Sequence, residues 1–313
     1  MRIAGTSYTD SLVTQLNTLS AQQYQLQGQI STGQRIQKPE DDPAGMAQAL
    51  SLQAQTANLQ QYQQNISTLQ STASSAYNAL DQIKTISDRA GEIATLADGA
   101  KTPTELHAYA TELNELIQHA VKLANTKDGN NNYLFSGTKS DTPPFEATLD
   151  AEGKVTAVSY QGNTSVGQRE IAENATVTVD TPGANTTGSG PRGLLVDSRY
   201  GADFFNHLIS LKQDLLSGNT GAILKTDAPA LTKDEDNIIY QISNNGVIQA
   251  RLESAASDAS TRQSSLQQSL TKVAGVDVTK AITDLSQTQN IYQAALASSS
   301  ALLKLQQSVL QYL

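Results

Sequence analysis

Few residues in this 313-residue chain have the types and spacing that chemistry requires. The three histidines are His107, His119 and His207. His107 and His119 fall in one helical stretch, about 120° apart around its axis, so they share no face. The chain has no cysteine, and no two histidines stand at i, i+4, so the usual donor set for zinc is missing and disulfides are excluded. Glu40, Asp41 and Asp42 could be read as a cation site, but calcium loops spread their ligands over a longer turn. Asp41 or Asp42, just before Pro43, reads instead as the cap of a helix that begins at that proline. Asp234, Glu235 and Asp236 also fall at an expected helix start, where carboxylates complement the helix dipole. There is no GxxxxGK[ST], no GxGxxG after a strand and no GxSxG. The expectation is a chain that is not an enzyme and that needs no cofactor and no metal.

The elements that carry these residues are long helices. The net charge is −9 and the sequence pI about 4.8, with 38% hydrophobic and 5% aromatic residues. That composition is lean for a compact enzyme and ordinary for helices that share narrow seams. No Lys/Arg cluster marks a nucleic-acid surface. No apolar run is long enough for membrane insertion, and the first residues lack the apolar core of a cleavable signal peptide.

The last helix, from Val278 to Leu313, organises the rest. Val278, Ile282, Leu285, Gln289, Tyr292, Leu296, Ser299, Leu303, Gln306, Leu310 and Leu313 step alternately by four and three, the spacing of a coiled-coil seam. Ile291, Leu302, Leu305 and Val309 widen the stripe. Leu12, Leu16, Leu19, Gln23, Leu26 and Ile30 keep the same spacing at the other end. The two ends are expected to pair, and a stripe this wide wants further cover from other copies or from a chaperone.

Between the ends, Gly33 and Pro39 close the first helix. A long helix follows from about Ala44 to Leu96, with Leu59, Tyr62, Ile66, Leu69, Ala73, Ala76, Leu80, Ile83, Ser87, Ala90, Ala94 and Ala97 along one seam. Thr104 is the expected cap of a helix over 105–125. Turn formers then surround Tyr133, Leu134 and Phe135. Strands are expected at 145–149, from Val155, at 166–171 and at 175–179. Helix returns at 202–217 and at 233–273.

The predicted class is mainly α: an elongated nested helical bundle with paired N- and C-terminal coiled-coil helices and a small inserted β domain. Its expected parts are a terminal assembly domain (1–42 with 275–313), a long-helix bundle (43–139 with 195–274) and the insertion (140–194).

Several segments resemble a known family. STGQRIQKPEDDPAG (31–45) resembles the joint after the first helix of bacterial flagellin-like proteins, as does the nested layout. LANTKDGNNNYLFSGTKSDTPPF (123–145) is similar to the signature of flagellin-like hook-associated proteins at the hook–filament junction, the hook-associated protein 3 type. The opening MRI and the ending SVLQYL (308–313) are similar too. The β insertion matches only in size and place.

The resemblance implies a structural subunit of the bacterial flagellum that joins the hook to the filament; flagellin or a filament-forming paralogue is the alternative. It implies extracellular assembly after export as an unfolded chain. The implied partners are copies of itself in a ring, the hook-proximal junction protein, flagellin, and an export chaperone on the C-terminal helix. The residues proposed for assembly and chaperone binding are Leu12, Leu16, Leu19, Leu26, Ile30, Val278, Ile282, Leu285, Tyr292, Leu296, Leu303, Leu310 and Leu313.

Overall fold

The first helix, α1 (Arg2–Thr32), stops where Gly33 takes a left-handed φ of 71°, a conformation that costs glycine little. The structure is a computed structural model that describes the backbone of residues 2–311 and the side chains of 10–301 and 304. Expectations for the side chains of Leu302, Leu303, Leu305, Gln306, Val309 and Leu310, and for Leu313, lie outside the described residues.

The elements after α1 are α2 (Pro43–Leu96), α3 (Pro103–Ala124), β1 (Phe145–Leu149), β2 (Val155–Tyr160), β3 (Arg169–Ala172), β4 (Ala175–Val177), β5 (Ala184–Asn185), β6 (Val196–Asp197) and β7 (Ala202–Asp203). Then come α4 (Phe204–Ser217), the short α5 (Thr220–Ala222), a π turn (Ile223–Asp227), α6 (Ala228–Ala274) and α7 (Val278–Gln311). They form two compact units, residues 1–58 with 261–313, and residues 59–260. The divisions fall inside α2 and α6, rather than at the glycine and proline joints where the sequence suggested them, because a helix can run unbroken from one core to the next.

In the terminal unit, both arms of the chain break at one joint. Arg35 N donates to Ala274 O (2.7 Å) and Val276 N to Gly33 O (3.1 Å), an antiparallel bridge. A side chain at Gly275 would put its Cβ 2.3 Å from Thr271 O, so glycine is required by space. The Arg35 guanidinium donates to Val273 O and to Asp42 Oδ2, both at 3.0 Å. Of the two aspartates before Pro43, Asp42 is the cap, accepting from Gly45 N (2.9 Å). Asp41 instead accepts from Lys38 N and Gln37 N (2.9 and 3.0 Å). These backbone donors, with the Arg35 guanidinium at Asp42, hold both carboxyls below the usual aspartate range.

In the 59–260 unit, α2 buries every residue of its expected seam from Leu59 on, except the half-buried Tyr62. Helix α3 begins earlier than expected, and its cap is Thr102 rather than Thr104. Glu105 N donates to Thr102 Oγ1 (3.3 Å) and Thr102 N to Glu105 Oε2 (2.8 Å), with Pro103 first in the helix. This reciprocal arrangement satisfies two orphan donors at once, which a Thr104 cap could not. Helix α6 starts at Ala228 rather than Lys233. The π turn before it makes this possible: Ala228 N bonds to Ile223 O. A proline one residue later lacks an N–H and its ring crowds a carbonyl four residues back, and a widened turn relieves that crowding.

Strands β1 and β2 pair antiparallel from Phe145↔Tyr160, with a bulge at Thr148/Leu149. The Asp150 carboxylate closes their turn by accepting from Lys154 N (2.8 Å) and Glu152 N (3.0 Å). The hairpin β3–β4 is shorter than expected, and Val166 and Val179 lie outside it. A small sheet, β5–β6–β7, was not expected; strands of two residues leave no periodicity to read. The insertion shares its core with the helices. Phe145 and Val155 are buried in one cluster with Leu113, Ile117, Phe205, Leu208 and Leu211. The segment YLFSG (133–137) closes this core from the side. Phe135 is fully buried, its carbonyl accepts from Tyr160 Oη (3.0 Å), and Asn125 exchanges two hydrogen bonds with the Phe145 backbone.

Candidate assembly seam

Helices α1 and α7 pack along each other in the terminal unit. Gln23 Nε2 reaches Thr288 O at 3.5 Å, and the joint pairs Gln34 with Gly275. That antiparallel register sets Leu26 level with Leu285, Leu19 with Tyr292, and Ile30 with Ala281. Leu12, Leu16, Leu19, Gln23, Leu26 and Ile30 are each half-buried. A helix with a single neighbour shields its seam from one side only.

On α7 the buried line differs from the expected one. It runs through the buried Ala281 and Thr288 and the half-buried Leu285, Tyr292, Ala295 and Ser299. Leu285, Tyr292 and Ser299 were expected there. Val278 (44% exposed), Ile282 (50%) and Leu296 (44%) were expected too but flank the line in solvent, as does Gln289. Ile291, exposed on the opposite flank, completes an apolar margin on both sides. The physical reason is size. Small side chains at 281, 288 and 295 recur every seventh residue and let α1 approach closely, whereas larger side chains one position on would hold it away. The Thr288 hydroxyl bonds to Asp284 O (2.7 Å), so it enters the seam with its polarity satisfied. Hydropathy hides such residues; their seven-residue recurrence was the available signal.

The 59–260 unit holds the titratable groups. His207 Nδ1 lies 2.7 Å from Asp234 Oδ2, and Asp203 N donates to Asp234 Oδ1 (2.7 Å). The Asp234 carboxylate raises the His207 pKa. Asp234 is therefore a buried partner inside α6 rather than an exposed group at its start. One and two turns on, Asn237 Nδ2 donates to Leu194 O (2.6 Å) and Gln241 Nε2 to Arg192 O (3.1 Å). This polar line pins the loop around Gly193 onto α6. The Arg192 guanidinium lies between the rings of Tyr200 and Tyr240, 3.6 and 4.1 Å from their centroids. Lys212 is buried, donates to Val155 O and to Asn114 Oδ1 (3.4 Å), and has its pKa lowered by burial. These groups are bound to backbone and to one another, in the manner of structural polar residues. His107 and His119 are exposed on α3. Among the described residues, no three histidine or carboxylate side chains gather as a metal-binding group.

Residues 6–140 match the bacterial flagellin N-terminal helical region, and residues 232–313 match the bacterial flagellin C-terminal helical region. The chain belongs to the bacterial flagellin family. This flagellin-family chain is 34% identical over 118 residues to flagellar hook-associated protein 3 of Escherichia coli, a stretch covering 37% of each. It is 29% identical over 163 residues to flagellar hook-associated protein 3 of Salmonella typhimurium, covering 51% of each. The chain thus spans about half or less of the length of these curated relatives. Its fold is similar to that of a flagellar hook-associated protein from Vibrio parahaemolyticus, with a TM-score of 0.64 at 22% identity, over 75% of this chain and 100% of that one. The mainly helical class with a small β insertion is therefore the family's fold.

Proposed function

We propose that this flagellin-family chain is a structural, non-catalytic subunit that joins the flagellar hook to the filament outside the cell. The observation that carries the reading is the α1–α7 pair: its seam is closed on one side, while Val278, Ile282, Ile291 and Leu296 stay in water. Exposed apolar side chains in such number on one helix mark a surface that is covered elsewhere. In the assembled organelle the cover is neighbouring copies in a ring, the hook-proximal junction protein below and flagellin above. Before assembly it is an export chaperone on α7, which keeps the chain unfolded enough to travel. The set that binds comprises the half-buried Leu12, Leu16, Leu19, Leu26, Ile30, Leu285 and Tyr292, the exposed Val278, Ile282 and Leu296, and Leu303, Leu310 and Leu313 beyond the described side chains.

The likeness to hook-associated protein 3 relatives favours a junction subunit over a filament subunit, and a seeded assembly assay separates the two. Purified chain added to hook and filament fragments is expected to cap or coat ends without elongating them. Growth of long filaments from the chain alone would replace the junction reading with a filament-forming one.

A further inference from the structure

Asp234 is sealed inside the 59–260 unit, with none of its side chain exposed, whereas the His207 side chain keeps 24% of its surface. The carboxylate has two donors, Asp203 N on Oδ1 and His207 Nδ1 on Oδ2, each at 2.7 Å. The contact joins three elements, because Asp234 lies in α6, Asp203 ends β7 and His207 lies in α4. Asp203 in turn accepts from Asn206 Nδ2 (2.9 Å) through its own carboxylate, which ties the first turn of α4 to the same point. Phe204 and Phe205 of that turn are buried in the main core. Among the described residues, the ion-pair partner of Asp234 is His207. A buried carboxylate needs a counter-charge. Lysine or arginine would supply one at any physiological pH, but an imidazole supplies one only while it is protonated.

We propose that the His207–Asp234 pair is a pH-sensitive latch: the imidazolium holds the start of α4 to α6, and loss of its proton to solvent loosens that joint. The hydrogen bond to Asp234 raises the His207 pKa above the ordinary 6.5 against the opposing effect of burial, and the charges of Asp203 in β7 and Asp227 in the π turn add to the rise. Burial holds the Asp234 carboxyl above the usual aspartate range, while His207 draws it down. Both shifts have the same sign. A group that binds its proton more tightly in the folded chain favours folding in acid. The His207 contribution is complete below 6.5 and is lost as pH rises through the higher folded value. The Asp234 contribution acts in the same sense from 3.8 upward.

The test is an NMR titration of the full chain labelled at histidine, with amide hydrogen exchange followed over the same pH range. The His207 ring signals, assigned by their loss in His207→Gln, are expected to titrate above 6.5 in the natural chain. In the near-isosteric Asp234→Asn, which keeps an acceptor for Asp203 N, the midpoint is expected to fall by about one unit or more. A His207 that titrates at or below 6.5, or a midpoint unmoved by that substitution, would overturn the pairing. The latch itself is read at the Asp203 amide. Its protection factor is expected to fall as pH rises through the His207 midpoint, by about tenfold for each unit by which that midpoint exceeds 6.5. In His207→Gln it is expected to stay level. Protection that is level in the natural chain, or that falls equally in His207→Gln, would mean that the titration leaves α4 fastened and would overturn the proposal.

Discussion

Aspartate at both Leu26 and Leu285 is expected to abolish motility while leaving the 59–260 unit folded. The two leucines are half-buried and level with each other in the α1–α7 register. Removing their apolar contact forfeits about 2–3 kcal/mol. Two like charges at about 4 Å add roughly 1 kcal/mol of repulsion even in water. A seam that is only half-buried along α1 has little stability to absorb this. The measurement is complementation of a null strain in soft agar, with circular dichroism of the purified variant. The expected pair of results is no swarm and a retained cooperative transition from the 59–260 unit. Swarming at the natural rate would mean that the α1–α7 seam has no part in assembly.

The second large effect lies at Phe205. Its ring is buried against Phe145 of β1 and Phe204, with centroids 5.2 and 5.7 Å away. Phe205→Ala is expected to cost about 3–5 kcal/mol, the range for emptying an aromatic site in a packed core. Urea unfolding of the full chain, followed by circular dichroism because the chain has no tryptophan, reads the change as a shift in the midpoint of the larger unit. Leu149→Ala, on an exposed strand position, serves as the control and is expected to stay within about 0.5 kcal/mol. A Phe205 variant as stable as the control would show that the β1–β2 hairpin is not part of the helical core. For the same reason, excising residues 145–190 removes Phe145 and Val155 from that core. The excision is expected to unfold the unit rather than to trim a surface projection.

What could be read from the sequence was whatever repeats along the chain. The seam of α2 was legible because apolar residues, large and small, recur at helical spacing for many turns and the helix has no interior proline. The break at Gly33 and the cap before Pro43 were legible because glycine, aspartate and proline act through local backbone geometry. Where the reading failed, the deciding contact was distant or the deciding residue was small. Thr104 and Thr102 both stand near the helix start, and the reciprocal bond with Glu105 is what selects Thr102. Nothing local makes Asp234 a partner of His207, 27 positions away. The start of α6 was expected at 233, whereas a π turn carries the helix across Pro229 from Ala228. The α7 seam was displaced because Ala281, Thr288 and Ala295 offer close approach rather than hydropathy. In this chain, size periodicity carried the information that hydropathy did not.

The junction role is tested most directly by deleting the gene, imaging the cells by electron microscopy and assaying the medium for flagellin. The account predicts hooks that lack filaments, together with flagellin released into the medium as unassembled monomer. Cells that still carry normal filaments on their hooks would contradict it.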